Sequence, residues 1–196
     1  QKERYLPPMA EGKEIWCQLF SEPSAGSDVA GLRSKAVKDG DKWIINGQKV
    51  WTSGAHFSDF GILVVRHDPN IEKHKGMTFF FVDMKSPGIE VKPIKQITGG
   101  SSFNEVYFTD VEIPDSQRLG EIGDGWKVAI TTLMNERLAV GDAGGADVED
   151  AFRWAKNQDN LGEPLLNNSA ARESIADWNC EKSGLKNTKL RTMSAL

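Results

Sequence analysis

Up to about Asp115, apolar and polar residues alternate in short runs broken by turn residues, the pattern of β-strands. The runs predict strands at residues 14–20, 32–38, 42–46, 60–66, 77–84, 89–93 and 105–111. Between them stand Asp39-Gly40-Asp41, Asn46-Gly47, Asp68-Pro69-Asn70 and Ser86-Pro87-Gly88. Asp39-Gly40 and Asn46-Gly47 read as hairpin turns, because both pairs tolerate positive φ. Regular short strands with no helix between them predict an antiparallel barrel or sandwich around one core.

After Gly125 the period becomes helical. Trp126, Ala129, Ile130, Leu133, Met134 and Leu138 recur at helical spacing. Gly144-Gly145 would weaken this helix or let another backbone approach it. Residues 148–156 and 170–182 predict two further amphipathic helices, with a loop at 157–168. Residues 185–196 carry a weaker helical pattern. The second half therefore reads as the opening of an all-helical domain, and the fold class as α+β. The chain starts without Met and stops within a pattern, so it reads as a piece of a longer protein.

Composition narrows the function classes. The 196 residues can hold one large domain, or one domain and part of another. A content of 39% hydrophobic and 27% charged residues is ordinary for a globular protein. The net charge of −4 gives no broad basic field for nucleic acid or anionic lipid. Cys17 and Cys180 stand far apart with no CxxC or Cys/His cluster, which argues against a zinc site or a disulfide framework and fits a reducing cytosol. No apolar run is long enough for a membrane span, and no signal peptide opens the chain. There is no GxGxxG after a strand, no GxxxxGK[ST] and no GxSxG. His56, His67 and His74 are scattered and read as surface or loop residues. Asp142, Asp147, Glu149 and Asp150 read as a solvated helix face or helix-start acids.

Three segments could carry chemistry. Residues 21–31, Ser-Glu-Pro-Ser-Ala-Gly-Ser-Asp-Val-Ala-Gly, follow an apolar run and are short-chained enough to bring backbone N–H groups close to a flat or anionic ligand. The same composition also suits a plain turn. Residues 48–55, Gln-Lys-Val-Trp-Thr-Ser-Gly-Ala, place an indole beside two hydroxyls, able to flank a planar heterocycle. They read equally as a core Trp followed by a turn. Asn135-Glu136-Arg137 lies near the border of the helical stripe. Glu136 there is either a solvated edge residue or, in a dry cavity, a general base.

Together these segments resemble the acyl-CoA dehydrogenase flavoprotein family. The matching pieces are residues 20–31, 45–55, 87–89, 103–111 and 123–129, in the family's order and spacing. The resemblance implies the tail of an N-terminal helical domain at residues 1–13. A flavin-binding middle β-barrel follows at 14–115, and a truncated start of a C-terminal helical bundle at 116–196. It implies FAD as cofactor and α,β-dehydrogenation of an acyl-CoA thioester to a trans-2-enoyl-CoA, in fatty acid or lipid catabolism. A carboxylate would take the α-proton and flavin N5 the β-hydride, with electrons passing to an electron-transfer flavoprotein. Gln18, Phe20, Ser21, Gly26, Ser27, Trp51, Thr52 and Ser53 match flavin-binding positions, with Ser53 where a hydroxyl bonds near N5. Ser27 and Arg137 match acyl-CoA positions, and Glu136 matches the alternative catalytic base. No metal is implied. The resemblance further implies a homo- or hetero-oligomer, dimer or tetramer, in the cytoplasm of a bacterium or the mitochondrial matrix of a eukaryote. Where the family carries Arg-x-Thr-Phe-Gly, this chain has Gln158-Asp159-Asn160-Leu161-Gly162, so either the correspondence fails here or another subunit supplies the cation, as in a hetero-oligomer. Other functions on the same fold are an acyl-CoA oxidase, another flavin enzyme, or a non-catalytic partner subunit.

Overall fold

The structure, a computed structural model, describes residues 1–140, 147–160 and 163–195, with the side chains at 138–140 and 159–160 left aside. It divides into two compact units, Gln1–Thr132 and Leu133–Leu196.

The first unit opens with helix α1 (Lys2–Ala10) and strand β1 (Trp16–Leu19). There follow β2 (Lys35–Asp39), β3 (Lys42–Ser53), β4 (Phe60–Arg66), β5 (Met77–Asp83), β6 (Ile89–Ile94), β7 (Phe103–Pro114) and the short β8 (Arg118–Leu119). The sheet runs β6-β7-β3-β2-β4-β5-β8, with β1 added beside β4. Two features depart from the expected antiparallel barrel. The sheet is open, ending at β6 and β8, and it is mixed, because β1 and β2 both pair with β4 in parallel. Parallel pairing needs a long crossover, and residues 20–59 supply one between β1 and β4.

Asn46-Gly47 does not turn the chain. β3 runs straight through it, with a shift of register against β7 between Ile45 and Gly47. Opposite the shift, Asn46 Nδ2 donates to Asp110 Oδ1 at 2.9 Å, and the Asp110 N–H donates back to Asn46 Oδ1 at 3.0 Å. Asp110 is left-handed at φ 48°. The extra residue of this bulge is on β7, since two steps from Ile45 to Gly47 face three from Val111 to Phe108. Gly47 has φ 152°, and a Cβ there would meet the Ser34 Cα at 2.7 Å. Asp39-Gly40, by contrast, does turn between β2 and β3, with Gly40 at φ 61°.

The core gathers Leu19, Trp43, Ile45, Leu63, Phe80 and Val106 with their neighbours. β5 is buried along six consecutive residues, Met77–Val82 in numbering, because both of its faces are covered. On one face Phe80 meets Trp43 at 5.4 Å between ring centroids. On the other, Phe79 meets Phe20 at 5.5 Å and Phe81 meets Tyr5 of α1 at 4.7 Å. Tyr5 also packs edge-on against Trp16 and Phe60, which fastens α1 to the sheet.

Helix α2 (Gly125–Val140) begins against β5, where a Cβ on Gly125 would lie 2.6 Å from the Met77 carbonyl carbon. Of its expected apolar face, Ala129 is buried, Trp126 and Leu133 are half-buried, and Ile130 and Met134 are exposed. The Leu138 side chain, Asp142 and Gly144-Gly145 fall outside what the structure describes.

The second unit contains α3 (Val148–Lys156), the two-residue strands β9 (Asp159–Asn160) and β10 (Glu163–Pro164), and the long α4 (Ser169–Ser194). Asp147 and Asp150 form a capping box on α3, and Asn168 accepts from the Ala170 and Ala171 N–H groups to cap α4. The two helical stretches expected at 170–182 and 185–196 are one helix, because Gly184 is carried through rather than used as a stop. The expected loop at 157–168 holds the β9–β10 pair and a short 3-10 turn. Among the described residues no helix is long and apolar enough to cross a membrane.

Candidate functional site

The loop after β1 and the second half of β3 lie side by side. The Val50 N–H donates to the Ser21 carbonyl at 2.9 Å, so residues 20–22 run against residues 49–51. Phe20 is buried and packs on Phe79, while Gln18 and Ser21 are half-buried. The loop then closes on itself through mutual Glu22–Ala25 backbone bonds, and Gly26 and Ser27 just past this turn are exposed.

Two residues past Val50 the strand is irregular again, with a register shift between Lys49 and Thr52. Trp51 sits in that shift with φ 60°, a left-handed conformation that costs a bulky residue energy. The strain accompanies exposure: Trp51 is 60% accessible, so it is no core residue. Its ring stands edge-on to Phe103, at 6.3 Å between centroids. Ser53 is exposed on the same stretch, and Thr52 is buried with its hydroxyl lacking a hydrogen-bond partner. Beyond them Gly54 turns at φ 66°, and Ser53, Gly54, His56, Phe57, Ser101 and Ser102 line an open cleft of about 510 Å³. Phe57 is also 62% exposed. An exposed, strained indole, free-facing hydroxyls and a buried hydroxyl without a partner are features that suit a planar, hydrogen-bonding heterocycle. They fit a flavin ring.

Beneath this surface lies a group that reading the sequence missed. Lys49 has no solvent exposure. Its ammonium donates to the Phe20 carbonyl at 3.0 Å and to Glu22 Oε1 at 2.8 Å. The Glu22 carboxylate also accepts from the backbone N–H groups of Arg33 at 2.6 Å and Ser34 at 3.0 Å. Burial pushes the Lys49 ammonium down to about 8, against the pull of Glu22. Burial alone would raise Glu22, but the Lys49 charge and the N–H donors outweigh it and hold the carboxyl below its usual range. In the sequence, a Lys between Gln48 and Val50 looks like a solvated strand residue. β3 continues past Asn46, and alternation along it puts Lys49 on the same inward parity as Trp43 and Ile45.

Glu136 and Arg137 belong to the second unit. Both are exposed on α2, and Arg137 Nη1 approaches Met134 Sδ at 3.9 Å. Residues 158–160 of the expected phosphate-facing stretch include side chains outside the described set, as do 161–162. A larger cavity of about 660 Å³ lies between α3 and α4, lined by Phe152, Leu166 and Ile175 among others, and gathers no candidate chemistry. Among the described residues no three His, Cys, Asp or Glu side chains come together to hold a metal ion.

Comparison with known proteins places these segments. The description "Acyl-CoA dehydrogenase, middle domain" matches residues 17–111, and "Acyl-CoA dehydrogenase, C-terminal domain" matches 123–196. Acyl-CoA dehydrogenase FadE34 of Mycobacterium tuberculosis is 47% identical over 85% of this chain and 25% of its own length. A variant of the Tcur3481-Tcur3483 steroid ACAD covers the whole chain and 50% of its own, at 32% identity and TM-score 0.90. The ChsE4-ChsE5 complex from Mycobacterium tuberculosis covers the whole chain and 51% of its own, at 30% identity and TM-score 0.84. The chain thus spans between a quarter and about half of the relatives it matches.

Proposed function

The chain belongs to the acyl-CoA dehydrogenase family, and on that premise we propose that it is the flavin-binding part of an enzyme that dehydrogenates an acyl-CoA thioester. The observation that carries this reading is Trp51, strained and exposed near the Ser53 hydroxyl, on a strand that Val50 bonds to Ser21 of the loop at residues 20–27. Phe20, Ser21, Trp51, Thr52 and Ser53 would wall FAD, with Gln18, Gly26 and Ser27 at its margin. When bound, FAD supplies the acceptor for the β-hydrogen, taken as hydride. Glu136 takes the α-proton, and Arg137 and Ser27 hold the thioester's CoA portion. The product is a trans-2-enoyl-CoA, and an electron-transfer flavoprotein is the proposed electron acceptor.

The test uses the purified full-length protein. It carries a visible flavin band and bleaches on addition of its acyl-CoA. The Glu136→Gln protein keeps the band and loses turnover by about 100-fold or more, the usual weight of a general base; unchanged turnover removes Glu136 from the role. Similarity to a protein titled a steroid ACAD makes steroid-derived acyl-CoA thioesters the first substrates to screen. Rapid reoxidation of the reduced flavin by oxygen would turn the assignment toward an oxidase.

A second reading concerns assembly. The match to a chain of the ChsE4-ChsE5 complex favours a hetero-oligomer, in which Gln158 stands where the family has its phosphate-binding Arg and the neighbouring Asp159 repels phosphate. Stoichiometric FAD on the purified single chain would count against it.

A further inference from the structure

The Lys49–Glu22 pair has no part in the proton or hydride chemistry, yet it sits under the junction of both site segments. Through it the chain ties together five positions: Phe20, Glu22, Arg33, Ser34 and Lys49. Beside the pair, the Val50 N–H donates to the Ser21 carbonyl and the Ser34 hydroxyl donates to the Gln48 carbonyl at 3.4 Å. The loop carries Ser21, Gly26 and Ser27; the strand carries Trp51, Thr52 and Ser53. The separation of the two walls is therefore set by a side chain with 0% exposure and a carboxylate with 4%.

Such a pair is a poor source of stability. Taking both charges out of water offsets most of their attraction, and two apolar side chains of the same volume often fold as well. What apolar side chains cannot do is occupy the Phe20 carbonyl and the Arg33 and Ser34 N–H groups. Those would be left without partners, and the loop would be free to settle at another distance from β3.

We infer that Lys49 and Glu22 are positioning residues for the flavin site, holding the 20–27 loop at a fixed distance from Trp51–Ser53, so that FAD affinity depends on them more than folding does. The inference rests on reading this site as a flavin site.

The test separates affinity from stability on the purified full-length protein, stripped of flavin and titrated with FAD. Lys49→Met and Glu22→Leu each lower the melting temperature, since each leaves one buried charge alone. The Lys49→Met/Glu22→Leu protein recovers most of that loss. Its FAD dissociation constant nonetheless rises by about ten-fold or more, the scale on which lost positioning is felt. The visible band of its bound flavin also shifts toward that of free FAD. Should the double variant not fold, Glu22→Gln decides, because it keeps the shape but opposes an amide NH₂ to a backbone N–H. It weakens FAD binding by about three-fold or more, the scale of a single misplaced hydrogen bond. A double variant that regains stability and binds FAD like the native protein, or a Glu22→Gln protein with native affinity, overturns the inference alone. A native protein that takes up no FAD overturns it together with the proposed function.

Discussion

Single residues here act mostly by tying distant segments together. Asp115 is a clear case. Its Oδ1 accepts from the Trp43 indole at 2.7 Å and from Arg118 Nε at 3.0 Å. The Arg118 guanidinium, then the indole, hold its carboxyl down at about 2. The unfolded carboxyl titrates near 3.8, so the ionised form stabilises the fold at neutral pH. That stability is lost as pH falls from about 4 through 2. Asp115→Asn should therefore lower stability at pH 7 and flatten the acid limb, with the two proteins converging near pH 2; urea melts at stepped pH check this. The Trp43–Asp115 bond could not be read from the sequence, because its partners lie 72 positions apart. The Lys49–Glu22 pair hid for a different reason, since a charged strand residue is ordinarily solvated. Phe20, Trp51 and Ser53 were legible as a group through their motifs, but the left-handed backbone of Trp51 was not.

At the scale of elements, strands were read well in number and poorly in extent. Seven strands were expected and the same seven runs appear, yet β3 runs on to Ser53 because it pairs with β7 straight through Asn46-Gly47, the bulged residue lying on β7. A two-residue signal cannot distinguish these outcomes: both use positive φ, and the choice depends on whether β7 is present to pair across the bulge. The start of α2 shows the same dependence on a neighbour. Gly125 lies against the β5 backbone at Met77–Thr78, which cannot give way as a side chain would. Gly125→Ala should cost about 1–3 kcal/mol as overpacking, despite the better helix propensity of Ala. Chemical denaturation would show it, and a neutral or stabilising effect would mean the helix start yields.

For the molecule as a whole, the core cluster lies entirely between Cys17 and Ile113, within the first unit. A protein of residues 1–132 should therefore fold by itself, with a single cooperative thermal transition by circular dichroism. Residues 133–196 should not, since Phe152, Trp154, Leu185, Leu190 and Met193 are about half-exposed or more and the unit buries few large side chains. A cooperative melt of 133–196 alone would contradict this. The change of period near residue 115–125 made two regions legible, because strand and helix periods differ along any stretch of chain.

What the sequence determined by itself was local and ordered: strand and helix periods, turn chemistry at Asp39-Gly40, and motifs whose order and spacing resemble one flavoprotein family. These are carried by residues close together in the chain. The tertiary structure decided what depends on residues brought together from afar. It made the sheet open and mixed, because parallel pairing follows from where the long crossover returns. It carried β3 straight through Asn46-Gly47, because β7 pairs on both sides of it and takes up the extra residue itself. It buried Lys49 against Glu22, because β3 runs on past Asn46 with Lys49 at the inward parity of Trp43 and Ile45, and the loop after β1 brings Glu22 to it.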